Sequence, residues 1–181
     1  SKVFIEKEEG RFDEELFKIR SGYLEGYWQS EKYFKNSKEE VRRNFEFKSE
    51  ILRENMVYID RINECKNPVS VHVRLGDYTT KENSLLFGNI CTIEYYNKAI
   101  DIISNKFPET TFFVFSNDIY NAKKMLEGKK NTVFVTGNNE KDGCVDMYLQ
   151  SKCTHNIIAN SSFSWWGAWL NEHPEKIVIA P

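Results

Sequence analysis

The stretch from Val69 to Tyr78 reads VSVHVRLGDY: an apolar, β-branched run that stops abruptly in His72, Arg74, Gly76, Asp77 and Tyr78. A guanidinium suits a phosphate or carboxylate. In open α/β sheets, ligands gather outside the carboxyl ends of the strands. Arg74 is therefore a candidate anion-binding residue. His72 has the same side-chain parity as Arg74 along a strand, so it either touches the same ligand or is buried and hydrogen-bonded. Asp77 either shares the site or simply pairs with Arg74 or caps the turn.

Three further apolar runs end in polar clusters. TFFVF at 111–115 leads to Ser116, Asn117 and Asp118, TVFV at 132–135 to Thr136 and Gly137, and NIIA at 156–159 to Asn160, Ser161 and Ser162. If these runs are parallel strands, all four clusters share one rim and line one cleft. Ser161 and Ser162 stand where a helix begins, and a helix N-terminus offers unpaired N–H groups and the positive end of a dipole to an anion. The competing reading is that a serine merely caps that helix. The run SSFSWWGAWLNEHP is aromatic enough for core packing, with Phe163 at the rim available for stacking. His155 precedes a strand and reads as structural, and His173, before Pro174, as solvated.

Several chemistries find no pattern here. Gly-x-Gly-x-x-Gly and Walker A sequences are absent, so a nicotinamide site or a nucleoside-triphosphate cradle of those kinds is unsupported. Asp-x-Asp, the acidic pair that holds a divalent ion on a nucleotide-sugar diphosphate, is also absent. A diphosphate would have to be met by arginine and helix ends. Cys65, Cys91, Cys144 and Cys153 form no CxxC pair, which favours reduced thiols over a zinc site or disulfide framework. Lys and Arg number 25 against 27 acidic residues, a net charge of -2, which argues against a broad nucleic-acid footprint. No apolar run is long enough to span a bilayer, and SKVFIEKEEG is too charged for a signal peptide.

The elements that must position these residues fall into two regions. Residues 1–66 are charged, aromatic and helix-prone. Tyr23 to Gln29 reads as a short extended piece, and Ser37 with Glu40 as a capping box for a helix through Phe47. Ile51, Leu52, Met56, Ile59 and Ile62 have helical spacing up to about Cys65, where Pro68 breaks the pattern. From residue 67 onward, short apolar strands alternate with helices: 69–73, 111–115, 132–135, 156–159 and 176–180 as strands, with helices after Thr92, over 119–126, around 145–152 and over 163–171. A long polar loop joins residues 74 and 91. Alternation of this kind predicts βαβ units and a mainly parallel, Rossmann-like sheet with helices on both faces.

HVRLGDY at 72–78, FSND at 115–118 and DMYLQSKCTHNIIANSSFSWWGAWL at 146–170 resemble the α-1,2-fucosyltransferase family, glycosyltransferase family eleven. GYWQSEKYF at 26–34 is similar to that family's linker region. The resemblance implies the nucleotide-binding half of a glycosyltransferase-B-type fold. It also implies inverting, metal-independent transfer of L-fucose from GDP-fucose to the 2-hydroxyl of a galactose-containing acceptor. By carry-over, Arg74 would hold the diphosphate, and His72 and Asp146 would lie near the guanine or its ribose. Ser161, Ser162 and Phe163 would close over the diphosphate and sugar, with Asn117, Asp118 and Asn160 also on the donor side. Asp77 and Glu82 are candidates for the base that takes the acceptor's proton, unless it resides in another domain.

The family's Gly-x-Gly-Asn-Gln segment does not occur here. The expectation is a fragment: residues 1–66 a helical remnant of the acceptor-side domain, and 67–181 the GDP-fucose-binding domain, supplying the donor site without cofactor or metal. A cytoplasmic location, or a peripheral one at the inner membrane face, is expected. Two rivals stay open: a non-enzymatic carbohydrate- or nucleotide-binding module, and a transferase that uses a different GDP-sugar.

Overall fold

The computed structural model describes residues 2–48, 53–75, 90–138 and 142–181. Contacts divide the chain into two units, Ser1–Glu46 and Phe47–Pro181.

The first unit is short elements around an aromatic cluster. Strands β1 (Val3–Ile5) and β2 (Tyr23–Glu25) pair in parallel. A 3-10 helix at Glu14–Lys18 is capped by Asp13, whose side chain accepts from the Glu15 N–H. A second 3-10 helix, Glu31–Ser37, runs directly into helix α1 (Lys38–Asn44). The capping box expected of Ser37 does not form. Ser37 already ends a helical turn, at φ -119° and ψ 22°, and makes no side-chain cap bond. A capping serine needs extended backbone to fold its hydroxyl onto the first turn. Phe12 and Tyr33 pack with ring centroids 4.9 Å apart, and Trp28 meets Tyr33 edge-on. None of residues 2–46 is buried.

The second unit holds a five-stranded parallel sheet in the order β5-β4-β3-β6-β7. Its strands are β3 (Asn67–Val73), β4 (Thr110–Ser116), β5 (Thr132–Phe134), β6 (His155–Ile157) and β7 (Val178–Ile179). Its helices are α2 (Met56–Glu64), α3 (Ile93–Lys106), α4 (Ile119–Met125), α5 (Gly143–Lys152) and α6 (Ser162–Leu170). Side chains alternate across each strand, so the sheet feeds two cores. On one face Val69, Val71, Val73, Phe112 and Val114 meet the buried stripe of α3, namely Tyr96, Ala99, Ile100 and Ile103. On the other, Phe113 and Phe115 meet Val145 and Leu149 of α5 and Ile62 of α2. Thr92 starts α3 by accepting from the Tyr95 N–H at 3.4 Å, as its position before the apolar stripe predicts.

Helix α2 thus packs within the second unit, although the sequence reading grouped it with the first sixty-six residues. Its polarity made it look like linker, and its single buried residue, Ile62, is what joins it to the sheet. Among the described residues no helix is long and apolar enough to cross a membrane.

From β3 the chain adds β4 and then β5 on one side, and then crosses to place β6 on the other. The carboxyl ends of β3 and β6 therefore flank the topological switch point, where an open parallel sheet offers a crevice to a ligand.

Candidate functional site

The residues at this crevice come from three element ends. His72 is the penultimate residue of β3, on the face that packs against α5 and α6. It is 3% exposed, and its ring centroid lies 5.3 Å from that of Phe163, the second residue of α6. Tyr96 donates its hydroxyl to the His72 carbonyl at 2.9 Å, pinning the strand end. Burial, and then the positive charge of Arg74, drive the His72 imidazole down to about 3, so the ring is neutral at physiological pH. Its Nδ1 has no hydrogen-bond partner among the described residues. Arg74 follows β3 directly and is half-buried. The next N–H, of Leu75, donates to Asn117 Oδ1 at 3.0 Å, tying the end of β3 to the end of β4.

Helix α6 supplies the second group. Ser161 occupies its N-cap in extended backbone, φ -132° and ψ 131°, yet makes no side-chain cap bond. The buried Ser164 hydroxyl instead fastens the turn, 3.2 Å from the Ala159 N–H and 3.1 Å from the Ser161 carbonyl. The first turn of α6 is thus held from within, and its N–H groups keep the dipole's positive end directed at the crevice. Ser162 is exposed at that rim. The simple capping role considered for Ser161 is not the one the structure gives it. Asn160, just before, is bonded to Cys91: its N–H lies 3.3 Å from Sγ, and the thiol lies 3.3 Å from Oδ1.

Asp146 on α5 supplies the third. Burial raises its carboxyl to about 6, with Asp142 one turn earlier adding to the rise. A 2.6 Å hydrogen bond from Asn138 Nδ2 opposes it. Gly143, one turn before Asp146, brings the start of α5 near Phe163: a Cβ added there would meet Phe163 Cε2 at 3.6 Å.

Other expected residues have local tasks. Asp118 caps α4, accepting from the Asn121 N–H at 3.1 Å and from Asn121 Nδ2 at 2.7 Å; these bonds hold its carboxyl below the usual range. Asp77 and Glu82 lie outside the described residues. His155 is buried with Nδ1 accepting from the Ile177 N–H at 3.1 Å, and His173 is exposed. Trp169 is buried, while Trp165 and Trp166 are partly so, in mutual contact with it. Sequence reasoning missed Asn55 and Asn138. The second immediately follows the Thr136–Gly137 cluster; nothing in the sequence signals the first.

An arginine and a helix start on adjacent strand ends of a parallel sheet are the features by which Rossmann-like domains meet anions. Residues 13–181 match the profile of Glycosyl transferase family 11, and the chain belongs to that family. It is 39% identical to an Escherichia coli alpha-1,2-colitosyltransferase over 86% of this chain and 53% of that protein. To the Escherichia coli O-antigen biosynthesis glycosyltransferase WbnK it is 34% identical, over 90% of this chain and 55% of the other. To a rat galactoside alpha-(1,2)-fucosyltransferase 2 it is 25% identical, over 80% of this chain and 42% of that protein. The chain spans about half the length of these curated relatives. Its fold is shared with the Bradyrhizobium fucosyltransferase NodZ, at a TM-score of 0.57 and 17% identity over 84% of this chain and 54% of that one. POFUT1 in complex with GDP gives 0.55 and 12%, over 87% and 54%. The sheet and its helices are the Rossmann-like half of a glycosyltransferase-B-type fold.

Proposed function

We propose that the switch-point crevice binds the GDP moiety of a nucleotide sugar. On this reading the whole protein transfers L-fucose from GDP-fucose to the 2-hydroxyl of a galactose-containing acceptor, with inversion. The observation that carries this reading is the placement of Arg74 and the uncapped start of α6 on adjacent strand ends, linked by the His72–Phe163 contact. As the bond to the sugar breaks, charge grows on the β-phosphate. A fixed guanidinium and fixed helix N–H groups stabilise it without reorganising, which is electrostatic preorganisation. Neutral His72 cannot donate a second positive charge. It supplies an imidazole wall and a hydrogen-bonding nitrogen for the nucleoside. The acceptor side of the reaction lies elsewhere in the whole protein.

Calorimetric titration with GDP, GDP-fucose and free galactosides tests the reading. Binding of the two nucleotides is expected, and binding of galactosides alone would favour a carbohydrate-binding module instead. Arg74→Ala is expected to lower turnover of the whole enzyme by ~100-fold or more, the usual cost of one such contact. Near-normal turnover would remove Arg74 from the site. Because arginine and helix N–H groups meet the diphosphate, turnover is expected to survive EDTA within about twofold, since no cation is asked to stabilise the leaving group. A collapse restored by a divalent ion would refute metal independence.

A second reading concerns the sugar alone. The relative at 39% identity is a colitosyltransferase by name, so this site would take the GDP derivative of colitose by the same phosphate and base contacts. Competition between GDP-fucose and GDP-colitose for turnover decides between them.

A further inference from the structure

Asn55 occupies the N-cap of α2, a position where asparagine ordinarily bonds the helix's own N–H groups. It makes no such bond. Its side chain, 5% exposed, is turned toward the loop after β5, where it forms a reciprocal amide pair with Asn138. Asn55 Nδ2 donates to Asn138 Oδ1 at 2.9 Å, and Asn138 Nδ2 donates to Asn55 Oδ1 at 3.1 Å. The second hydrogen of Asn138 Nδ2 goes to Asp146 Oδ1 at 2.6 Å. Every polar hydrogen of the Asn138 amide is thus committed, and its oxygen is held by Asn55. A flipped Asn138 would set an amide oxygen against the carboxylate, so the pair fixes the side that faces Asp146.

The same loop is fastened a second time. Tyr58, on the first turn of α2, receives the Thr136 N–H on its hydroxyl at 2.9 Å and lies 3.2 Å from Thr136 Oγ1. Gly137 between them has φ +100°, a left-handed turn that glycine adopts without strain and that brings Asn138 round to Asp146.

We infer that Asn138, clamped by Asn55, is a positioning residue that holds the Asp146 carboxylate in register to accept the donor edge of a guanine, and so sets the base specificity of the crevice. The inference rests on the nucleotide-binding reading above. Asn138 binds Oδ1 of Asp146, so Oδ2 is the oxygen that would meet the ligand. Guanine presents N1–H and an exocyclic amino group as adjacent donors, whereas adenine presents a bare N1 that a carboxylate repels. A neutral amide suits the holding task. It orients the carboxylate yet leaves its charge for the ligand, where a lysine would neutralise it. A polar site built to pair with specific donors rejects an analogue lacking one of them.

Among the described residues, Asp142, at the N-cap of α5, is the charge that acts on Asp146. Helix α6, packed on α5, carries no ionisable side chain. Asp60, Arg61 and Glu64 of α2 are exposed, and β3 contributes neutral His72 and the Arg74 guanidinium.

The test is calorimetric titration of the whole protein, and of its Asn138→Ala and Asn55→Ala variants, with GDP, inosine diphosphate and inorganic pyrophosphate between pH 5 and 8. Inosine diphosphate lacks the amino group but shares the phosphate titration, which drops out of the affinity ratio. Wild type is expected to prefer GDP by roughly 10-fold or more, the worth of a hydrogen bond to a charged group. The preference should fade as pH drops below 6 and Asp146 gains its proton. In Asn138→Ala the preference should shrink toward unity at pH 7, and its acid limb should move to higher pH, since the bond that favoured the carboxylate is gone. Asn55→Ala should do the same more weakly, and pyrophosphate affinity should hold in both. A variant that keeps the wild-type ratio and acid limb, or that loses GDP and pyrophosphate in parallel, overturns the inference and leaves the donor site standing. Should Asn138→Ala fail to fold, Asn55→Ala is judged by the same criteria. Failure of wild type to bind GDP at all overturns both.

Discussion

Asp146 and His72 show what a single buried titratable group does at this rim. The unfolded chain ionises the Asp146 carboxyl near 3.8, and the folded chain near 6. Between those values the native state holds the extra proton, so stability falls as pH rises through this window and stays lowered above it. Asp146→Asn removes the burial of charge, and is expected to gain roughly 2 kcal/mol relative to wild type at pH 7.5, with little difference at pH 3.5. Urea melts at the two values check this. The same variant should lose GDP affinity, and a carboxylate that costs stability while serving a ligand is the mark of a functional group. His72 has the opposite sign. Its folded value near 3 lies below the usual 6.5, so its contribution is complete above about 6.5 and is lost as pH falls toward 3. Of these two residues, His72 announced itself by its place beside Arg74. Asp146 had no local signal, because its neighbours Cys144, Val145 and Met147 describe only a helix, and its place came from the family motif.

At the scale of elements, the rim depends on how closely α5 and α6 approach. A Cβ on Gly167 would lie 3.0 Å from Gln150 Cβ and 3.1 Å from its Oε1, and Gln150 is 1% exposed, with no room to move. Gly167→Leu is therefore expected to cost about 2 kcal/mol or more through overpacking. On the proposed donor site, which the starts of both helices would carry, it should also weaken GDP binding. Thermal melts and calorimetry read the two losses, and unchanged affinity in a destabilised protein would separate helix spacing from the site. Element identity was legible where periodicity was strong: the stripe Tyr96, Ala99, Ile100, Ile103 and the run 111–115, which the structure extends to Thr110–Ser116, needed no tertiary information. Caps were less legible. Thr92 caps as expected, while Ser37 and Ser161 do not, because a preceding 3-10 turn displaces the first and the Ser164 hydroxyl supplants the second.

At the scale of the molecule, both hydrophobic cores lie within Phe47–Pro181, and no described residue of the first unit is buried. A chain cut to Phe47–Pro181 is expected to melt cooperatively and to keep most of its GDP affinity, since burial of a core drives cooperative folding. A broad, non-cooperative melt would show that the first unit supports the second. Residue order alone points to the parallel α/β class and to a rim shared by His72, Arg74, Asn160, Ser161 and Ser162. Apolar runs ending in polar clusters can be buried only one way, with helices on both faces and the polar ends together. Tertiary structure decided which strand ends are neighbours, putting β6 beside β3 so that Phe163 meets His72. It also decided that Asn55, eighty-three residues from Asn138, should join it. A hydrogen bond between distant amides follows from chain topology and leaves no periodicity to read.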